Sequence, residues 1–258
     1  MGSKLSKSVM TITKSSLESL VFFVFGATMD EDDYLLKRVV EKAFFDATNQ
    51  GAFNALIEKT DVRKERVNVP KNEVIANLLK KIKEYTKPKG KEFEEWHSGI
   101  CKSVKETYDA YEFVDEFSYG NAQKLVNMTL KYLYLLSGIQ EPTAFAPSIQ
   151  EILDAISEDS QYLNIPIDSY IIDAIWENSD EESKMFLPRK REYESKNKSC
   201  KSYLKGWSKW DPNDYEKAQK AINAVKKECD PMEWESKQWI SIAKKRRQIT
   251  EEPVEKHD

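Results

Sequence analysis

The amino-acid sequence predicts an all-α, multi-helix protein. Apolar residues recur at helical spacing through most of the 258 residues. Only 8 glycines and 9 prolines are present, too few for the many turns of a β-sandwich or barrel. Charged residues make up 33% of the chain, which is typical of a protein with much exposed helix.

The apolar faces place the predicted helices in order along the chain. The first carries apolar residues at three-and-four spacing from Leu35 to Phe44, after an acidic start that suits a helix N-terminus. Later faces predict helices at residues 74–82, 93–111, 122–136, 148–157, 166–178, 212–228 and 231–246. Pro166, Pro212 and Pro231 fit the first turn of the last three, where proline is favoured.

The N-terminal segment is interpreted as part of the fold and not as a targeting sequence. Residues 20–25 are apolar and follow several lysines, but Glu18 intrudes and no small-residue cleavage site comes after them. We therefore expect a core helix or strand there. A Pro/Gly/Lys stretch at 87–91 is the candidate boundary between two helical parts. The predicted division is an N-terminal helical region (1–90), a helical domain with the candidate site (91–250) and a polar tail (251–258).

Several classes of protein are excluded by what the chain lacks. No apolar run reaches the roughly 18 residues that span a bilayer, so no membrane partner is expected. Cys101, Cys200 and Cys229 are widely spaced, which indicates no disulfide framework or zinc site and favours the reducing cytoplasm. P-loop and GxGxxG motifs are missing, and we expect neither a cofactor nor a bound metal. The only histidines are His97 and His257, so histidine-based nucleophilic catalysis depends on His97 alone.

Charge is unevenly distributed although the net charge is only −4. From Lys184 to Lys209 there are nine Lys or Arg residues against Glu192 and Glu194. A second basic block is Lys244–Arg247. A local positive field of this kind can dock a polyanion such as DNA on a mildly acidic protein, and a solvated helix face is the alternative.

Two short segments carry a resemblance to a known family. Residues 119–124 (YGNAQK) open one predicted helix, and residues 165–170 (IPIDSY) open another. They resemble the helix-hairpin-helix DNA glycosylases, in which a G-x-G-x-K hairpin precedes an apolar helix and a P-V-D-[TS]-H motif. Gly120 matches the first hairpin glycine, Lys124 the hairpin lysine and Asp168 the aspartate. The resemblance implies an all-α fold with a helix-hairpin-helix-like element.

The match also has departures. Ala122 replaces the second glycine, and Tyr170 stands where the family has histidine. Lys124 and Asp168 are 44 residues apart, about twice the usual spacing, which implies an insertion between Gly138 and the second motif. The resemblance covers about 60 of the 258 residues, and the iron–sulfur cysteines of some members are absent.

The implied function is excision of a normal or modified base from DNA, in repair or in anti-phage defence. Cleaving the N-glycosidic bond puts positive charge on the sugar, which a carboxylate at Asp168 would stabilise. Lys124 would act as a nucleophile or as a phosphate contact. An asparagine at position 168 would still cap the helix, so we expect it to cost about 1 kcal/mol of stability at most.

The remaining candidate site residues are assigned by residue type and position. Hairpin N–H groups and nearby lysines predict DNA binding by Gly120, Asn121, Gln123, Lys205 and Lys209. Aromatic and amide side chains predict a base pocket of Tyr119, Asn127, Tyr170, Trp207 and Trp210. Core packing is the alternative role for the tryptophans, and helix capping is the alternative for the amides.

Two other functions remain open at this point. One is a non-enzymatic helical protein of a phage or defence system that binds nucleic acid or an acidic partner through the 184–209 stripe. The other is a helical, metal-dependent nuclease. The glycosylase hypothesis requires Lys124 and Asp168 to face one positively rimmed cleft with their tips within about 10 Å.

Overall fold

The computed structural model describes residues 13–49, 52–57, 61, 63–85, 88, 90–139, 145–188 and 204–251. Within these ranges the chain forms ten α-helices and short 3₁₀ turns, with no β-sheet. The all-α prediction is confirmed.

The helices follow the predicted order closely. They are α1 (Lys14–Phe25), α2 (Asp32–Thr48), α3 (Asn68–Lys83), α4 (Lys91–Asp109), α5 (Tyr119–Ser137), α6 (Pro147–Glu158), α7 (Ser169–Asn178), α8 (Glu181–Lys184), α9 (Pro212–Lys226) and α10 (Pro231–Glu251). A 3₁₀ turn at Trp207–Lys209 precedes α9.

Helix α5 is the centre of the molecule. Every residue from 119 to 130 is buried, because α2, α4 and α6 pack along its length and α9 also contacts it. The helix begins in a capping box: Ser118 Oγ accepts the Asn121 N–H at 3.0 Å, and Asn121 Oδ1 accepts the Ser118 N–H at 3.3 Å. The polar side chains of this buried stretch must find hydrogen-bond partners within the protein.

The starts of the later helices are fixed by aspartates. Asp211 caps α9, and Asp230 Oδ1 accepts two N–H groups in the first turn of α10. Pro212 and Pro231 are the first residues of these helices, as predicted. The prediction for Pro166 is wrong by three residues: α7 begins at Ser169, because the Asp168 side chain caps the helix there.

Helix α1 is helical but only half buried. Val21 and Phe25 reach the core, whereas Phe23 is 86% exposed and Leu20 is also exposed. The expectation of a core element at residues 20–25 therefore holds for one side of this helix only. No helix within the described ranges has a stretch that is both long and apolar enough to cross a membrane.

One apolar cluster runs through the described residues on both sides of residue 90. Val74 and Leu78 of α3 belong to the same cluster as Phe93 and Ile100 of α4. Helices α3 and α4 also pack directly against each other. The candidate site lies on this shared core.

Candidate functional site

Lys124 and Asp168 form an ion pair although 44 residues separate them. Lys124 Nζ donates to Asp168 Oδ2 at 2.9 Å. The two side chains are 7% and 17% exposed, respectively. The predicted proximity of their tips is confirmed, and the pair is largely removed from solvent.

Asp168 uses its two carboxylate oxygens for different purposes. Oδ1 accepts the backbone N–H groups of Tyr170 at 2.9 Å and Ile171 at 3.0 Å, which starts α7. Oδ2 faces the Lys124 ammonium and also accepts the Trp239 Nε1–H at 3.4 Å. The carboxylate is thus held in one orientation from both sides.

The charge on Asp168 follows from these contacts. Burial alone raises the pKa of the carboxyl group, but the Lys124 ammonium and the two backbone N–H groups outweigh it. The net effect holds the pKa of Asp168 below its usual range. The group is therefore a carboxylate at neutral pH.

The ion pair lies in a cleft of about 680 Å³. Aromatic side chains of Tyr170, Trp207 and Trp239 line it beside the charged groups. The Tyr170 and Trp239 rings are stacked with centroids 4.8 Å apart, and the Arg246 guanidinium lies 3.9 Å from the centre of the Tyr170 ring. Trp239 is 36% exposed, so part of this large flat surface is open to a ligand.

More charged groups lie further along the same cleft. Lys131 Nζ donates to Glu235 Oε2 at 2.6 Å, and Glu235 is 1% exposed. Asp46 accepts hydrogen bonds from Lys42 Nζ and from the Tyr132 hydroxyl. The cleft therefore has two charged regions, both supported by α5.

The described lining of the cleft does not have the positive charge that the sequence predicted for its rim. The described residues that line the cleft include three carboxylates, on Asp46, Asp168 and Glu235, and two lysines, Lys124 and Lys131. Carboxylates on neighbouring helices pair with the lysines of α5, and this leaves no excess of positive charge in the lining.

The hairpin contacts predicted for Gly120 and Asn121 are wrong. Gly120 is the second residue of α5, and its N–H donates to the Trp210 carbonyl at 3.0 Å. A Cβ at this position would lie 1.7 Å from the Trp207 carbonyl oxygen. Asn121 is buried in the capping box and donates its side-chain amide to the Ala52 carbonyl at 3.0 Å. Neither residue has a backbone N–H to offer to a phosphate.

The predicted roles of Gln123, Asn127 and Tyr119 are also wrong, because all three lie in the core. Asn127 Nδ2 has three acceptors within hydrogen-bond distance for its two N–H groups: Gln123 Oε1 at 3.1 Å, the Ile165 carbonyl at 2.9 Å and the Tyr215 hydroxyl at 3.0 Å. Asn127 Oδ1 lies 2.6 Å from His97 Nε2. These amides hold core helices together and do not face the cleft.

The tryptophan pair is divided between the core and the cleft. Trp210 is buried and donates Nε1–H to the Lys205 carbonyl at 2.9 Å, so its base-pocket role is wrong. Trp207 lines the cleft as predicted. Lys205 is paired with Asp214, which opposes its assignment to DNA. Lys209 is exposed on the turn that carries Trp207.

The basic regions are only partly described. Most of the 184–209 stripe falls at residues 189–203, outside the described ranges. In the second block, Arg246 donates to the Ser169 carbonyl at 3.1 Å and to Asp173 Oδ2 at 2.8 Å. Because Ser169 lines the cleft, this end of α10 stands beside it.

The sequence reasoning missed several residues that line the cleft, among them Lys131, Glu235 and Trp239. One signal was present, since Lys124 and Lys131, the two lysines of α5, are seven residues apart and therefore share a face. Glu235 and Trp239 are four apart and share a face of α10 in the same way.

In the part of the chain that the structure describes, no three His, Cys, Asp or Glu side chains come together as metal ligands. Comparison with protein-family models, with curated proteins and with solved structures finds no match for this chain. The resemblance to helix-hairpin-helix glycosylases therefore stays a prediction.

Proposed function

We propose that this protein is a DNA glycosylase that excises a base from DNA. The supporting observation is the buried Lys124–Asp168 pair at 2.9 Å, in a cleft with the aromatic side chains of Trp207 and Trp239. A glycosylase needs a flat apolar wall for the flipped base and a fixed negative charge beside the sugar. This cleft offers both.

Asp168 supplies the negative charge. As the bond between the base and C1′ breaks, positive charge develops on the sugar ring. The carboxylate is already ionised and oriented by the N–H groups of Tyr170 and Ile171, so it needs no rearrangement in the transition state. Such preorganised charge is worth about a hundredfold or more in rate.

Lys124 has two possible routes, and they give different products. In the first, Nζ gives a proton to the departing base and its freed electron pair forms a bond to C1′. Opening of the sugar ring then leaves a Schiff base on the lysine. In the second, water attacks C1′, and Lys124 only holds Asp168 in place. Trapping with borohydride reduces a Schiff base to a stable protein–DNA adduct and so separates the two.

A contact with the DNA backbone is assigned to Lys209 at the edge of the cleft. Lys209 is exposed on the turn that carries Trp207, which lines the cleft. A lysine at this position can neutralise a phosphate without entering the cleft, whose lining has no excess positive charge. This arrangement leaves the interior of the cleft for the base.

The test is release of free base, detected as alkali-labile abasic sites in DNA that carries normal, damaged or modified bases, with chelator present. Wild type should produce abasic sites on at least one of these substrates. Asp168→Asn and Lys124→Met should reduce the rate about a hundredfold or more. The matched control is Asp109→Asn, which breaks the exposed Lys105–Asp109 pair of α4 and should leave the rate unchanged.

Absence of abasic sites on every substrate would overturn the proposal. Salt-sensitive DNA binding without base release would then favour the non-enzymatic binding protein. Activity that chelator abolishes, with strand breaks in place of abasic sites, would favour the nuclease.

A further inference from the structure

The cleft extends well beyond the Lys124–Asp168 pair. Lys131 lies seven residues further along α5, which is about 10 Å at the rise of an α-helix. The volume of about 680 Å³ is within the range of pockets that hold whole drug-sized ligands. A single base next to Asp168 would leave part of this space unoccupied.

The far end of the cleft is lined by Asp46, Lys131, Tyr132 and Glu235, and Lys42 pairs with Asp46 beside them. Lys42 Nζ donates to Asp46 Oδ1 at 2.6 Å and to the Tyr132 hydroxyl at 3.2 Å. Lys131 Nζ donates to Glu235 Oε2 at 2.6 Å. Donor and acceptor groups of three helices thus converge on one region, and each charged group is held by a partner of opposite sign.

The charges of the far end cancel. Two ammonium groups face two carboxylates, so neither a strongly anionic nor a strongly cationic ligand gains from the region as a whole. Many fixed donors and acceptors remain within a short distance of one another. A neutral group that both donates and accepts, such as a set of hydroxyls, matches this arrangement best.

We infer that the far end of the cleft binds a neutral, hydroxyl-rich substituent on the base that is excised. The inference rests on the proposed function, since it places the base at Lys124 and Asp168 and its substituent at Lys131 and Glu235. These two residues are then specificity determinants. Asp46 completes the site from α2, and Lys42 neutralises its charge.

The first experiment measures binding and does not depend on catalysis. Quenching of tryptophan fluorescence reports ligands next to Trp207 and Trp239. Two nucleosides serve as probes: 2′-deoxycytidine, and 5-hydroxymethyl-2′-deoxycytidine with a glucose on its hydroxyl. Wild type should bind the glucosylated nucleoside at least about tenfold more tightly, the gain expected from one or two additional hydrogen bonds.

The variant Lys131→Met/Glu235→Leu removes both charges of the pair and should abolish this preference. Glu235→Gln is the second variant, in case the double variant does not fold. Lys105→Met/Asp109→Leu makes the same exchange in an exposed pair of α4 and should retain the preference. Equal affinity of wild type for the two nucleosides would overturn the inference.

The second experiment follows abasic sites in DNA with and without the substituent. Faster release of the substituted base by wild type supports both proposals. Equal release from both DNAs would leave the glycosylase proposal standing and overturn the inference. Preferential binding of the substituted nucleoside without release from either DNA would overturn the glycosylase and retain the binding site.

Discussion

Polar side chains have different environments on two faces of α5: neutral amides are enclosed on one, and charged pairs lie beside solvent on the other. On the closed face, Gln123 and Asn127 are fully buried and bonded to neutral groups of His97, Tyr215 and the backbone. On the cleft face, Lys124 and Lys131 are paired with carboxylates at the edge of solvent. Gln123 and Lys124 are adjacent in the sequence, yet one is a core residue and the other belongs to the candidate site.

The difference shows what burial allows. A neutral amide can be enclosed completely if each donor and acceptor finds a partner, as Asn127 does. An ammonium group needs a carboxylate and some access to water, because removing an isolated charge from water costs far more. Charged pairs therefore mark the face of α5 where a ligand can approach.

The largest expected effect comes from breaking the charged pair of the cleft face. Asp168→Asn keeps the helix cap but leaves the buried Lys124 ammonium without a counter-charge. We expect a loss of about 3–5 kcal/mol in the free energy of unfolding, measured by urea denaturation. The sequence alone suggested about 1 kcal/mol, because the burial of Lys124 and its contact with Asp168 could not be seen.

The double variant Lys124→Met/Asp168→Asn is the control for this loss. It removes both charges and should recover much of the stability lost in Asp168→Asn. If the double variant is no more stable than Asp168→Asn, the pair is not coupled and the contrast between the two faces fails.

The closed face should respond to acid. Burial lowers the pKa of His97 to about 4 although Asn127 opposes the shift, so the ring is neutral in the folded protein. The unfolded chain takes up this proton near pH 6.5. Stability is therefore fully present above that pH, falls as the pH drops from 6.5 toward 4, and decreases by about 3 kcal/mol in all.

The measurement is the free energy of unfolding by urea at several values between pH 7 and pH 4.5. His97→Gln is the comparison, because it cannot titrate and should show a much smaller slope. If the free energy of unfolding depends on pH equally in wild type and His97→Gln, burial on the closed face does not lower the pKa of His97.

The smallest expected loss of stability concerns Gly120 at the start of α5, which packs against the 3₁₀ turn at Trp207–Lys209. A methyl group at Gly120 would lie 1.7 Å from the Trp207 carbonyl oxygen, so the backbone of the turn has to move. We expect Gly120→Ala to lower the melting temperature and to cost about 1–3 kcal/mol. A matched Gly99→Ala change, where no atom lies within 4 Å, should not destabilise α4. A Gly120→Ala protein as stable as wild type would disprove the close contact.

Much of the fold followed from the sequence because helical periodicity is a local property. The apolar faces of α2 to α6 and the prolines at Pro212 and Pro231 gave correct helices. Asp168 at the start of α7 and its proximity to Lys124 were also predicted. These predictions were possible because Asp168 is both a typical helix-capping residue and the aspartate of the IPIDSY segment.

The remaining site residues depend on contacts between distant helices. Nothing local distinguishes Trp239, which lines the cleft, from Trp234, which is buried in the core on the same helix. The roles of Gly120 and Asn127 were missed for the same reason. Their partners, Trp207 and Tyr215, come some 90 residues later in the chain.

Helix α10 contributes Glu235, Trp239 and Arg246 from one face, at spacings of four and seven residues. These side chains contact the far end of the cleft, Asp168 and Ser169 in turn. Three side chains in or beside the cleft are thus encoded in a single stretch of about a dozen codons. A mutant library confined to that stretch samples new ligand preferences while α5, which organises the core, stays constant.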